Sequence, residues 1–170
     1  MAIHLGRKPW WNYLGDDLKE HLRLSSYLAD KSTEWSKTFH DYSFIVFPAA
    51  KAYEGFLKKL FFDMGFITRE EYFGKHFRIG KALNPDLEEK YREDGWVFAK
   101  MQEYCGRDLP ERLWETWKKS RNRLFHWFPD EQNKVSHPEA VERLLMIVVA
   151  IDEVFGACKL DLKKRVQKNH

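Results

Sequence analysis

Apolar residues recur every three to four positions along most of the chain, with short polar breaks between the runs. The period-two alternation of a half-buried strand is almost absent. Residues 16–31, DDLKEHLRLSSYLADK, put Leu18, Leu22, Ser25 or Ser26 and Ala29 on one stripe behind an acidic pair, Asp16 and Asp17, suited to a helix start. Residues 39–64 are strongly apolar. Pro48 either kinks this helix or divides it in two, the repeat resumes through Ala52, Tyr53, Phe56 and Leu60, and Gly65 is a stop signal. The pattern then predicts a short helix over 68–73 capped by Thr68, a loop over 80–86, a helix over 86–104 and a break at CGRDLP, 105–110. Pro110 falls in the first turn of the next predicted helix, 109–127. The helix over 136–156 has the clearest start, with Ser136 as N-cap, Pro138 in the first turn and Glu139 closing a capping box. It is apolar nearly all round, which places it at the centre. The expected fold is all-α, a helical bundle of about five longer helices over 16–158. An N-terminal extension covers 1–15 and a basic C-terminal tail covers 159–170.

Composition narrows the class. A chain of 170 residues, 44% hydrophobic and 32% charged, is a globular domain rather than a disordered segment. Its 16% aromatic content demands a large core or an interface, and the segment RKPWWNY, 7–13, is expected to pack onto the bundle rather than to touch RNA. The net charge of +3 is too small to demand a nucleic-acid partner and leaves room for a local basic patch. Cys105 and Cys158 are read as forming no disulfide framework. The N-terminal residues lack a signal-peptide core, and the longest apolar run, LLMIVVAI at 144–151, is far short of a membrane span. The expected location is therefore a reducing cytoplasm, without a membrane partner.

The candidate chemistry sits in SRNRLFHWFP, 120–129. Lys118, Lys119, Arg121 and Arg123 crowd one helix end with no acid among them, and His126 follows. Asn122 and His126, four apart, share a helix face, whereas Arg121 and His126 lie about 140° apart around an ideal helix, so the long arginine must reach round. Pro129 disfavours helical geometry at Phe128, which puts His126 in the last turn, where the helix dipole favours a cation. From the residues alone two readings stand: a histidine that caps or packs a basic helix end, or an Arg–His pair that handles a phosphate. No His/Cys spacing is of the zinc type and no carboxylate pair looks dedicated to Mg²⁺, so no cofactor is expected.

Read as R-N-x-x-x-H on the penultimate long helix of an all-α domain, RNRLFH resembles the signature of the HEPN superfamily. KAYEGFLKKLF, 51–61, is similar to the opposing helix of RnlA-like (RNase LS-type) toxin domains, with Lys51 and Glu54 at the positions of the basic residue and glutamate that accompany the Arg–His pair. The resemblance covers roughly residues 40–157. It implies a helical bundle that pairs as a homodimer and acts as a metal-independent endoribonuclease, a toxin of a toxin–antitoxin or anti-phage system with a cognate antitoxin protein as a further partner. Arg121, His126, Glu54 and Asn122 would be catalytic, and Lys51, Lys119 and Arg123 would bind the RNA substrate. Two departures stand out. The motif continues His126-Trp127-Phe128, without the tyrosine of His-x-Tyr members, and position 51 is lysine, a point charge rather than a bidentate fork.

Other readings remain beside this one. A HEPN-like domain could bind RNA, a nucleotide or a protein without catalysis, or serve only as a dimerisation bundle. Glu54 has an alternative partner in Lys58 four residues on, Lys51 could simply be solvated, and Asn122 could be a surface residue. His21, His40, His76 and His137 are read as core, cap or surface residues, and Trp114 and Trp117 as core or dimer interface.

Overall fold

The computed structural model of the chain describes residues 4–35, 39–92, 95–127, 129–131 and 133–158. The basic tail, 159–170, lies outside the described residues, as does Phe128. Seven α-helices and no strand occur among the described residues: α1 Asp16–Lys31, α2 Ser43–Asp63, α3 Arg69–Phe73, α4 Ile79–Ala82, α5 Phe98–Cys105, α6 Leu109–Trp117 and α7 His137–Ala157. The all-α expectation holds, and the five longest of these helices form the bundle. No helix among the described residues is long and apolar enough to cross a membrane.

The capping signals read from the sequence are realised. Thr68 and Glu71 close one capping box and Ser136 and Glu139 another. Gly65 takes φ 72°, the left-handed conformation that ends α2. α2 and α7 are the most deeply buried elements. Tyr53, Phe56, Leu57, Leu60 and Phe61 of α2 meet Leu144, Ile147, Ile151 and Val154 of α7 in one apolar core. Residues 4–15 pack onto it as expected. Trp10 is fully buried and its indole N–H donates to Asp152 Oδ1 at 2.6 Å, while Tyr13 donates to Asp63 Oδ2 at 2.6 Å. Burial and then that hydrogen bond push the Tyr13 phenol far above its ordinary range.

Pro48 does not divide the helix in two. α2 runs through it, and the repair comes from α1. Ser25 Oγ donates to Ile45 O at 2.6 Å and accepts the Ala49 N–H at 2.9 Å. Its hydroxyl thus relays the rung beside the proline that an unbroken helix would close directly.

Three expectations are corrected. Residues 79–82, within the predicted loop over 80–86, form α4, whose Ile79 and Ala82 are buried. The predicted helix 86–104 exists only as a 3₁₀ turn at Glu89–Tyr91 and as α5. Between them the backbone is claimed by tertiary bonds, Val97 N–H to Ala82 O at 2.8 Å and Trp96 Nε1 to Asn84 O at 2.9 Å, and a glycine at 95 already disfavours helix. Cys105 and Cys158, read as unpaired, are joined in a disulfide that ties the end of α5 to the end of α7. With a sequence separation of 53, it restricts the unfolded chain by roughly 4 kcal/mol on the chain-entropy account.

Candidate functional site

The motif segment leaves the α-helix before its histidine. α6 ends at Trp117, and Lys118–Asn122 form a π-helical turn in which Arg123 N–H bonds Lys118 O at 3.0 Å. His126 therefore stands in the turn beyond the helix, not in its last turn as the pattern predicted. The spacing from Arg121 is still five, but the wider turn changes which way each side chain leaves the backbone. Two residues without a sequence signal hold this shape. Arg143 of α7 donates to Lys119 O at 3.2 Å, and the Asn133 amide donates both to Arg123 O, at 3.2 Å, and to His126 O. The first is a cation on a helix-terminal carbonyl and the second staples the turn. Ser120 sits inside the π turn, fully buried, and its hydroxyl has no hydrogen-bond partner among the described residues.

Arg121 is fixed from two sides. Its Nε lies 3.6 Å from Glu54 Oε2, and its guanidinium carbon sits 5.1 Å from the Trp117 ring and 5.6 Å from the Phe125 ring. Glu54 thus faces the motif. Lys58, its alternative partner, instead donates to Gly74 O at 3.0 Å. Phe47, one turn before Lys51 on the same stripe of α2, packs against Phe125 with the rings tilted by 46° and their centroids 4.4 Å apart. The stripe 47–51–54 therefore runs alongside the motif, with Lys51 exposed in its middle.

Arg121 and His126 line different spaces. Arg121, Asn122 and Glu54 line a cleft of about 660 Å³ with Arg78, Asn84 and Trp114. His126, which is exposed, lines a second space of about 320 Å³ with Asp41, Trp127, Asn133 and Lys134. Phe125 lines that second space, and its ring centroid lies 5.6 Å from the Arg121 guanidinium carbon. Within one chain Arg121, Glu54 and Asn122 line one cleft, and His126 lines the other space. Lys119 and Arg123 are exposed around the turn.

The basic cluster is felt by Glu115. Glu115 is held below the usual range first by the hydrogen bond from Lys118, at 2.8 Å, then also by the charges of Lys119 and Arg123. Of the remaining candidates, Trp117 is core, as expected, while Trp114 is only partly buried and forms a cleft wall. His137 packs edge-on against Tyr42 and contacts Ala29 O at 3.2 Å through Nε2, a structural role. Sequence reasoning missed Arg78, Arg143 and Asn133. None carries a motif, and each reaches the segment from elsewhere in the chain.

The face that carries the motif is also apolar in an unusual way. Trp127, the residue after His126, is 81% exposed, and Phe47, which packs on Phe125, is about half exposed.

No curated protein and no solved structure matches the chain. A family model described as RnaseLS-like HEPN matches residues 12–129, from just before α1 to just past the R-N-x-x-x-H segment and well over half of the 170 residues. The helical order, the Glu54–Arg121 pair and this match agree, and the chain belongs to the RnaseLS-like HEPN family.

Proposed function

We propose that the protein is a metal-independent endoribonuclease, working as a homodimer and serving as the toxin of a toxin–antitoxin or anti-phage system. The family supports ribonuclease-type function. The observation that carries the finer reading is Arg121 of the π turn, paired with Glu54 of α2 in an open cleft and followed five residues on by an exposed histidine.

The reaction is transesterification within RNA. The 2′-hydroxyl gives up its proton and its oxygen bonds to phosphorus, the bond to the 5′-oxygen breaks, and that oxygen takes a proton. The products are a 2′,3′-cyclic phosphate and a 5′-hydroxyl. His126 is the proton-transfer group, as base, as acid, or as each in turn on the two protomers. Arg121 holds the scissile phosphate and stabilises the charge of the pentacovalent state. Glu54 orients Arg121, Asn122 donates to the phosphate, and Lys51, Lys119 and Arg123 draw the RNA to the groove.

Because Arg121 and His126 line different spaces within one chain, pairing of two copies along the Trp127 face is what supplies each Arg121 with a histidine. A two-fold axis also repeats the arrangement and covers the exposed aromatics. The experiment is incubation of the purified protein with RNA in EDTA, beside Arg121→Ala and His126→Ala. Cleavage that leaves 2′,3′-cyclic phosphate ends, lost in both variants, is the expected result. RNA binding without cleavage by the parent protein would leave only the binding module, and full activity at a monomeric mass would remove the dimer.

A further inference from the structure

We infer that Arg78 and Trp114 complete a nucleotide subsite beside Arg121, which takes one unpaired ribonucleotide of the substrate next to the scissile phosphate. The inference rests on the endoribonuclease reading and adds residues from outside the motif. Arg78 precedes α4 and reaches the cleft mouth, exposed, with Nη1 donating to Lys75 O at 2.7 Å. Among the described residues no carboxylate pairs with it, whereas Arg121 is partly neutralised by Glu54. The cleft thus carries a guanidinium whose charge is unanswered, and a phosphodiester oxygen is the partner that planar fork fits.

The opposite need, a flat apolar surface for a base, falls to Trp114. Trp117 lines the same cleft, but Arg121 lies against its ring. The chain at Gly80 also approaches so closely that an added Cβ would come within 3.1 Å of the indole nitrogen. Trp114 is partly buried and has no aromatic or cationic side chain stacked on it among the described residues. Polar groups complete the lining. Asn84 Oδ1 accepts the Asp86 N–H at 3.0 Å, which orients the side-chain amide nitrogen as a donor, and Asn122 stands at the Arg121 end. A volume of about 660 Å³ is of the size that holds a nucleotide. Cation, aromatic wall and amide donors in one cleft describe single-stranded nucleic acid, because in a duplex the base face is already stacked.

The test is fluorescence anisotropy with a labelled single-stranded RNA carrying 2′-O-methyl groups, which removes the nucleophile and separates binding from chemistry. Arg78→Gln is expected to weaken binding and to flatten the slope of log affinity against log salt by about 0.7, the value of one phosphate contact on a single strand. Trp114→Ala is expected to weaken binding on the order of tenfold, with Trp114→Phe restoring most of it. Binding of a duplex of the same sequence should be the same for the parent and the tryptophan variants. Parent-like affinity and salt slope in Arg78→Gln overturn the subsite, as do equal losses on duplex and single strand, or a parent protein that binds no RNA. If Trp114→Ala fails to fold, Arg78→Gln decides alone, since Arg78 is exposed. A subsite that binds while the parent leaves unmodified RNA intact would fault the nuclease reading and not this one.

Discussion

Two buried serines sit at two breaks in helical regularity, and they are treated in opposite ways. At Pro48 the rung between Ile45 and Ala49 is rebuilt through the Ser25 hydroxyl, which both donates and accepts. At the π turn Lys118–Asn122 the Ser120 hydroxyl is equally buried and has no partner among the described residues. The first break belongs to the scaffold, where an unpaired buried group costs about 1–3 kcal/mol and is satisfied. The second lies under the Arg–His motif, where a wide turn re-aims Arg121 and the polar cost is left in place. Wider turns of this kind are frequent at working sites, and the contrast sets the scaffold break apart from the one under the proposed site.

The largest effect that can break this division is on activity. His126→Ala should lower RNA cleavage by about 10²–10⁴ while its melting temperature stays within about 2 °C of the parent. Activity retained by the folded variant would refute the assignment. On the scaffold side, Ser25→Ala leaves Ile45 O and the Ala49 N–H without their relay and should cost about 1–3 kcal/mol for each group, read by denaturant unfolding. Adding Pro48→Ala should recover part of this loss, because the helix can then close its own rungs. No recovery would mean that the proline is not what the serine repairs.

A smaller effect sharpens the comparison at the well-capped end of α7. Hydrogen bonds from the Ser136 side chain, then from its backbone, hold the Glu139 carboxyl below the usual carboxylate range. A folded value depressed in this way gives stability that is present at neutral pH and is lost as the pH falls through that range. Glu139→Gln should therefore be less stable than the parent at neutral pH, by about 0.3–1 kcal/mol, and indistinguishable from it in acid. The smallest effect is Ser120→Ala, which removes an unpartnered hydroxyl and should leave stability unchanged or raise it by up to about 1 kcal/mol. A clear loss would show that the π turn does use that serine.

Legibility followed the range of the interactions. α1 and α7 were readable nearly to the residue because stripe, charge and cap agree within each segment, as at Asp16, Asp17, Ser136 and Glu139. The helix predicted over 86–104 failed where Val97 and Trp96 bond to α4 and the residues behind it, partners that no local pattern announces. The site divided along the same line. Arg121, His126, Glu54 and Asn122 could be named from spacing and resemblance. The pairing of Glu54 with Arg121 rather than with Lys58 needed α2 and α6 side by side, and Arg78, Arg143 and Asn133 had no signal at all.

The sequence by itself determined the all-α class and the caps of the main helices, and it named the candidate site residues. Each of these rests on neighbours three to five positions apart. Only the tertiary structure decided where α6 gives way to a π turn, that Ser25 bridges Ile45 and Ala49 beside Pro48, that Cys105 meets Cys158, and that Arg121 and His126 line different spaces. These depend on groups brought together from across the chain, whose contacts are set by how the buried faces of whole helices pack.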